Sequence, residues 1–263
     1  MTRGSLTVVG TGIATGVHLT PESHAAIETA DQLLYLAADP VGERWLSELH
    51  SSATSLRNEY VAGESRYVIY ERIVERLLAP VREGARVAAA FYGHPGVYVT
   101  PSHDAVRRAR DEGFEARMLP AISAEDCLYA DLGVDPADGG CSSYDATDFI
   151  LRSRPLDPTT GLILWQICVI GNPFAVTEPN YENMPLLVNR LLEAYPPEHE
   201  VTVYEASPYP IVAPVIERMP LHALATASIT PLSTLYVPPA SERPVDEELA
   251  EKLGFSARRT PTT

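Results

Sequence analysis

Short apolar runs alternate with amphipathic stretches through the first 120 residues of the chain. "SLTVVG" reads as a strand, "TPESHAAIETADQ" has the spacing of a helix, and "LLYLAA" reads as a second strand. Helical patterns follow in "GERWLSELH" and "SRYVIYERIVERLLAPVREG", the second with Ile69, Ile73 and Leu77 at helical spacing. "ARVAAAFY" is a buried strand, "SHDAVRRARDEG" a helix and "FEARMLP" a strand. Short strands between longer helices predict a mostly parallel α/β sheet.

The rhythm changes after Pro120. "ISAEDCLYADLG" opens a helix with a serine cap, and the turn-rich "DPADGG" follows. "GLILWQICVI", "EVTVYEA" and "TLYVPP" are the strands, with helices expected near residues 143–153, 184–195 and 245–253. The proline-rich stretch 208–220 reads as loop with a short strand. The chain is therefore expected to divide into an N-terminal α/β domain, 1–120, and a C-terminal mixed α/β domain, 121–263.

Composition narrows the function. With 20 Lys and Arg against 35 Asp and Glu, the net charge is −15, and no global field would gather a nucleic acid. Cys127, Cys141 and Cys168 form no CxxC pair and are odd in number, so neither a disulfide framework nor a zinc knuckle is indicated. They read as core thiols of a reducing cytoplasm. The N-terminus lacks an apolar run long enough for a signal peptide or membrane span, so a soluble intracellular protein is expected.

Several stretches could carry chemistry, and each also has a purely structural reading. "FYGHPGVYVT" sets Gly93-His94-Pro95-Gly96 after a buried strand, where a turn alone would suffice. "VVGTGIATG" places glycines after the first strand, where backbone could approach an anion. The spacing Gly10-x-Gly12-x-x-x-Gly16 is not the dinucleotide fingerprint, and no acid closes the second strand cleanly, although Asp39 lies just beyond "LLYLAA". In "NEYVAGESRYVIY", a helix starting near Ser65 would put Arg66 and Tyr70 on one face. That is either a surface Arg on a Tyr ring or a cation stabilising a phenolate. Ser123 could be only a cap, and Gln166, the polar residue in "LILWQICVI", needs a partner that is structural or a ligand. Ser233 and Thr234 are equivocal alone. His94 has no histidine near it in sequence to suggest a metal site.

Taken in order and spacing, "VVGTGI", "FYGHPGVYVT", "MLPAISAEDCLYADLGVDP", "LILWQICVIG" and "PLSTLYVPP" resemble the tetrapyrrole-methylase-fold S-adenosylmethionine (SAM) methyltransferases. More narrowly, the chain is similar to the borosin-type peptide backbone α-N-methyltransferases over about residues 5–240. The wider group usually has Gly-Asp-Pro at the third-strand turn, whereas "GHPG" after Tyr92 is the form of the peptide methylases. The resemblance implies a two-domain fold with the SAM cleft between a parallel and a mixed sheet. It implies catalytic roles for Tyr60, Arg66, Tyr70 and Tyr92. It also implies SAM contacts at Tyr92, His94, Val97, Val99, Ser123, Ala124, Gln166, Tyr204, Ala206, Ser233 and Thr234, with S-adenosylhomocysteine as product and no metal.

Fused members of that group carry their own apolar core peptide. This sequence ends at "FSARRTPTT", so a separate precursor peptide is expected, with a homodimer, or a heterotetramer holding two precursors, expected from the family. In the expected mechanism Tyr70, beside Arg66, takes the amide proton while Tyr92, with Tyr60, donates to the carbonyl. A tetrapyrrole C-methyltransferase and a non-catalytic SAM- or peptide-binding module are the competing expectations.

Overall fold

The computed structural model describes residues 4–175 and 179–255. Its first half runs β1 (Ser5–Gly10), α1 (Pro21–Glu28), β2 (Gln32–Leu36), α2 (Pro40–Leu49), β3 (Ala53–Ser55), α3 (Arg66–Arg82), β4 (Arg86–Phe91), α4 (Thr100–Asp111) and β5 (Glu115–Met118). The five strands form one parallel sheet in the order β3-β2-β4-β1-β5. The uniform apolarity of "RVAAAF" has a direct cause, since successive side chains of β4 enter different cores. Val87, Ala89 and Phe91 pack with Ile69, Ile73 and Leu77 of α3 and Ala105 of α4. Ala88 and Ala90 pack on the opposite face with Ile27 of α1 and Leu46 of α2. Helices cover both faces of the sheet, as parallel strands require.

The second half runs α5 (Ala124–Leu132), β6 (Cys141–Asp145), α6 (Ala146–Leu151), β7 (Gly161–Trp165), α7 (Met184–Leu191), β8 (Glu200–Glu205), β9 (Val215–Pro220), β10 (Thr234–Val237) and α8 (Glu247–Lys252). Its sheet has the order β6-β7-β10-β8-β9, in which β6 and β7 are parallel and the remaining pairs antiparallel. Leu162, Leu164, Val201, Val203, Leu235 and Val237 turn one face of it into a core with Phe149 of α6 and Leu187 of α7. The other face presents Ile163, Tyr204 and Tyr236 to Leu128 of α5 and to Ile13, which follows β1. That shared cluster is where the halves meet. The α/β class, with one parallel and one mixed sheet, is the one the sequence pattern implied.

Two local expectations need correction, and one short strand is not among those expected. Residues 143–145 are not helical: they complete β6, and Asp145 then caps α6 by accepting from the Asp148 amide at 2.9 Å. β3 is a three-residue edge strand with no apolar signature of its own. Gln166 is not inside a strand, because β7 ends at Trp165 and Gln166 takes a left-handed conformation with φ of 58°. Of the three cysteines read as core thiols, Cys168 is buried and Cys127 and Cys141 are half-buried. Among the described residues no helix is long and apolar enough to cross a membrane.

Candidate functional site at the junction of the two sheets

The ends of β1 and β4 open toward the second half, the position at which parallel α/β sheets bind ligands. The two glycine turns found in the sequence lie against each other there. The Gly12 amide donates to the Gly93 carbonyl at 3.2 Å, and the Gly93 amide returns a bond to Gly12 at 3.0 Å. A Cβ on Gly10 would stand 2.3 Å from the Gly93 oxygen, 2.5 Å from the Ala121 Cβ and 2.6 Å from the Pro95 Cδ. The glycine run after β1 thus serves the approach of protein to protein, rather than leaving its backbone open to a ligand. Asp39 caps α2, its Oδ1 accepting from the Val41 and Gly42 amides and from the Tyr209 hydroxyl at 2.7 Å.

Beyond Gly93 the chain stays tight. His94 Nδ1 accepts from the Gly96 amide at 2.9 Å, and the Val97 amide donates to the His94 carbonyl at 3.1 Å. Val99 precedes α4 and packs against the core of the first half. Tyr92 turns the other way. Its ring joins the shared cluster with Ile13, Tyr204, Ala206, Ala124 and Cys127. Burial holds its phenol proton well above the ordinary tyrosine range, and negative charge at Asp39 and Glu205 adds to the effect.

The residues expected from the second half converge on this cluster, but several spend their polar atoms on protein. Ser123 and Asp126 form a reciprocal cap at the start of α5, with the serine hydroxyl donating to the carboxylate at 2.8 Å. Tyr204 and Thr234 are cross-strand neighbours on β8 and β10. The Tyr204 hydroxyl donates to Asp131 at 2.6 Å. Ser233 and Thr230 both donate to Glu205 Oε1. Glu205 and Asp131 were not selected from the sequence. The available signal for Glu205 was an acid ending a buried strand, between the selected Tyr204 and Ala206.

A second group forms around Arg66, the first residue of α3. Its Nη1 donates to Gln166 Oε1 at 3.0 Å and its Nη2 to the Asn172 carbonyl. Tyr70 follows one turn later, packed against the first core. Tyr60, on the segment before α3, is within electrostatic reach of both. Burial pushes its phenol up, Tyr70 pushes it further, and the Arg66 charge pulls it back. The same charge opposes the burial of the Cys168 thiol, which Glu205 reinforces. Gln166 thus has its partner, and Asn172 joins the group through a carbonyl that residue type could not advertise.

The halves are tied at further points around the junction. The Thr15 amide donates to the Pro208 carbonyl at 2.9 Å. The Gly63 amide bonds the Ala175 carbonyl, and the Ala175 amide bonds the Glu64 carbonyl, each at 2.9 Å. Tyr98 and Trp165 stack with centroids 4.9 Å apart.

Comparison with known proteins agrees with this architecture. The family model of the tetrapyrrole (corrin/porphyrin) methylases matches residues 5–210. A methyltransferase/ribosomally synthesized type I borosin cyclic peptide precursor of Serendipita vermifera is 42% identical over 96% of this chain and 63% of its own length. The corresponding protein of Gymnopilus junonius is 41% identical over 97% of this chain and 62% of its own. That of Coprinopsis marcescibilis is 38% identical over 99% and 69%. The chain thus spans somewhat less than two thirds of the first two relatives. Among solved structures, uroporphyrin-III-C-methyltransferase from Thermus thermophilus superposes with a TM-score of 0.64 at 20% identity, covering 90% of this chain and 93% of that one. Diphthine synthase gives 0.58 at 15% identity, covering 91% of each. These two likenesses concern the fold alone. On the extent of the family match and the identity to the borosin relatives, the chain belongs to the tetrapyrrole (corrin/porphyrin) methylase family.

Proposed function

We propose that the chain is a methyltransferase that uses SAM to methylate backbone amide nitrogens of a ribosomally made peptide presented as a separate chain. The observation that carries the reading is the Arg66 group. A guanidinium fixed by Gln166 and Asn172 stands within electrostatic reach of Tyr60 and one helical turn from Tyr70. An amide nitrogen is a poor nucleophile because its lone pair is shared with the carbonyl. A site that methylates it needs a base and a proton donor held apart.

The residues suit that division. Tyr60 and Tyr92 keep their protons, so each can donate to a carbonyl oxygen as negative charge grows there. In this reading Tyr70, one helical turn from Arg66, accepts the amide proton. The shared cluster also fits SAM in kind. Tyr92 and Ala124 offer ring and methyl surface for an adenosine, Tyr204 and Ala206 pack behind them, and Glu205 offers negative charge toward a sulfonium. His94, Val97, Ser123, Gln166, Ser233 and Thr234 belong to the same proposed set, with Val99 behind them. SAM when bound supplies an electrophilic methyl group.

The relatives' names as methyltransferases and cyclic peptide precursors support a peptide substrate. A homodimer with one precursor per protomer is part of the proposal. Incubation with SAM and a candidate precursor should raise the precursor mass in methyl-sized steps, and tandem fragmentation should place them on backbone nitrogens. Methyl groups found only on side chains or on a tetrapyrrole would overturn the reading. A recognition region would raise the local concentration of the target segment. A target segment lacking that region that reacts as fast as full precursor would remove the separate-chain arrangement.

A further inference from the structure

Among the described residues three non-glycines have positive φ: Tyr98 at 55°, Ser153 at 45° and Gln166 at 58°. Such conformations are sparsely populated and persist where the surroundings hold them. Two of the three lie at one inter-half contact. Tyr98 itself stacks on Trp165, and Gln166 is the next residue after Trp165. Trp165 is in turn fixed from behind. Its Nε1 donates to Ser143 Oγ at 2.8 Å, and Ser143 Oγ donates to Glu125 Oε2 at 2.9 Å. Tyr129 donates to the other oxygen of Glu125 at 3.0 Å. The indole is therefore anchored to β6 and α5 on one side and pressed on a ring of the first half on the other. Gln166 leaves this anchored ring in a left-handed turn and meets the Arg66 guanidinium 3.0 Å away.

We propose that Trp165 is a positioning residue for Arg66: clamped between Tyr98 and the Ser143–Glu125 pair, it holds Gln166 where Oε1 receives the guanidinium. The Tyr98 hydroxyl also interacts with Ser143, but the proposal needs only the ring. The tyrosine contributes a ring face, and its 40% exposure makes that ring replaceable without opening a core. The inference rests on the proposed role of Arg66 only for its kinetic consequence, while the structural consequence can be read without any turnover.

The test therefore has two arms on the full chain. In the first, the Gln166 side-chain amide is followed by ¹H–¹⁵N NMR in Tyr98→Phe and Tyr98→Leu. The phenylalanine variant should leave its resonances in place, and the leucine variant should move them. Unmoved resonances in Tyr98→Leu would overturn the proposal, whether or not the protein methylates peptides. In the second arm, Tyr98→Leu and Trp165→Leu should lower kcat by about tenfold, the scale on which misplaced groups act, with KM for SAM nearly unchanged. Tyr98→Phe should retain most of the activity, and Trp165→Phe, which keeps a ring but loses the bond to Ser143, should fall between it and Trp165→Leu. In an Arg66→Lys background, Trp165→Leu should cost little more, since both act on one cation. Fully additive losses, or a rise in KM for SAM with kcat intact, would overturn it. A wild-type protein that methylates no precursor would instead refute the proposed function, leaving the NMR arm to judge the clamp.

Discussion

Two phenols flank the junction, Tyr92 half-buried and Tyr60 with its ring partly exposed, and their surroundings differ in sign. Around Tyr92 the negative charges of Asp39 and Glu205 work with burial to keep the proton on. Around Tyr60 burial again dominates, but a guanidinium pulls the other way. One pocket wall is electrostatically one-sided, and the other is contested by a cation whose own position depends on Gln166 and Asn172. The contrast teaches that proton donation and proton removal can share a small volume only if a single cation is confined to one side of it.

The strongest way to break this comparison is Tyr70→Phe, which keeps the ring and deletes the hydroxyl. Peptide methylation should fall by about 10²–10⁴-fold with SAM binding unchanged by calorimetry. A near wild-type rate would move the base to Tyr60 or Tyr92. Arg66→Ala should lower the rate by about 10²-fold, and Arg66→Lys should recover part of it, since a point charge cannot serve two acceptors as the planar fork does. Combining Arg66→Ala with Tyr70→Phe should be less than additive, whereas combining it with Tyr92→Phe should be near additive. The reverse pattern would mean that the two walls are one unit.

Tyr204→Phe probes the one-sided wall through stability. It removes the hydrogen bond to Asp131 from a fully buried ring. About 1 kcal/mol should be lost, lowering Tm by about 2–4 °C in calorimetry.

The smallest effect serves as a control far from both walls. The Arg86 side chain and amide hold the Asp31 carboxyl down to about 2 from 3.8. A lowered folded value stabilises above the unfolded pKa, and that contribution disappears as pH falls from about 4 to about 2. Asp31→Asn should flatten acid unfolding in that window only, and less so at high salt because the pair is exposed. A change in methylation rate would show that the two walls are not insulated from the sheet edge.

What could be read from the sequence follows burial. β1, β4 and α3 are legible because both faces of the strands and one stripe of the helix are apolar. β6 is illegible because "CSSYD" is half-exposed at an edge and becomes a strand only by pairing with β7. The residues of the site were named through family resemblance, and Arg66 with Tyr70 through helical spacing. The bond between Arg66 and Gln166 joins positions 100 residues apart, and the left-handed turn that aims Gln166 has no signature in its residue type. Glu205 was hidden for a simpler reason, since an acid at a strand end ordinarily faces water.

Gly10 sets a different kind of limit. The space its missing side chain would need is already taken by the Gly93 carbonyl, Ala121 and Pro95, which belong to β1's neighbouring turn and to the link into α5. Two separate stretches of chain thus converge on one empty position of a third. In a saturation library this codon should return glycine alone, even under selection for folding without activity. Lineages of the protein can redesign the surrounding loops only by moves that keep this contact point bare.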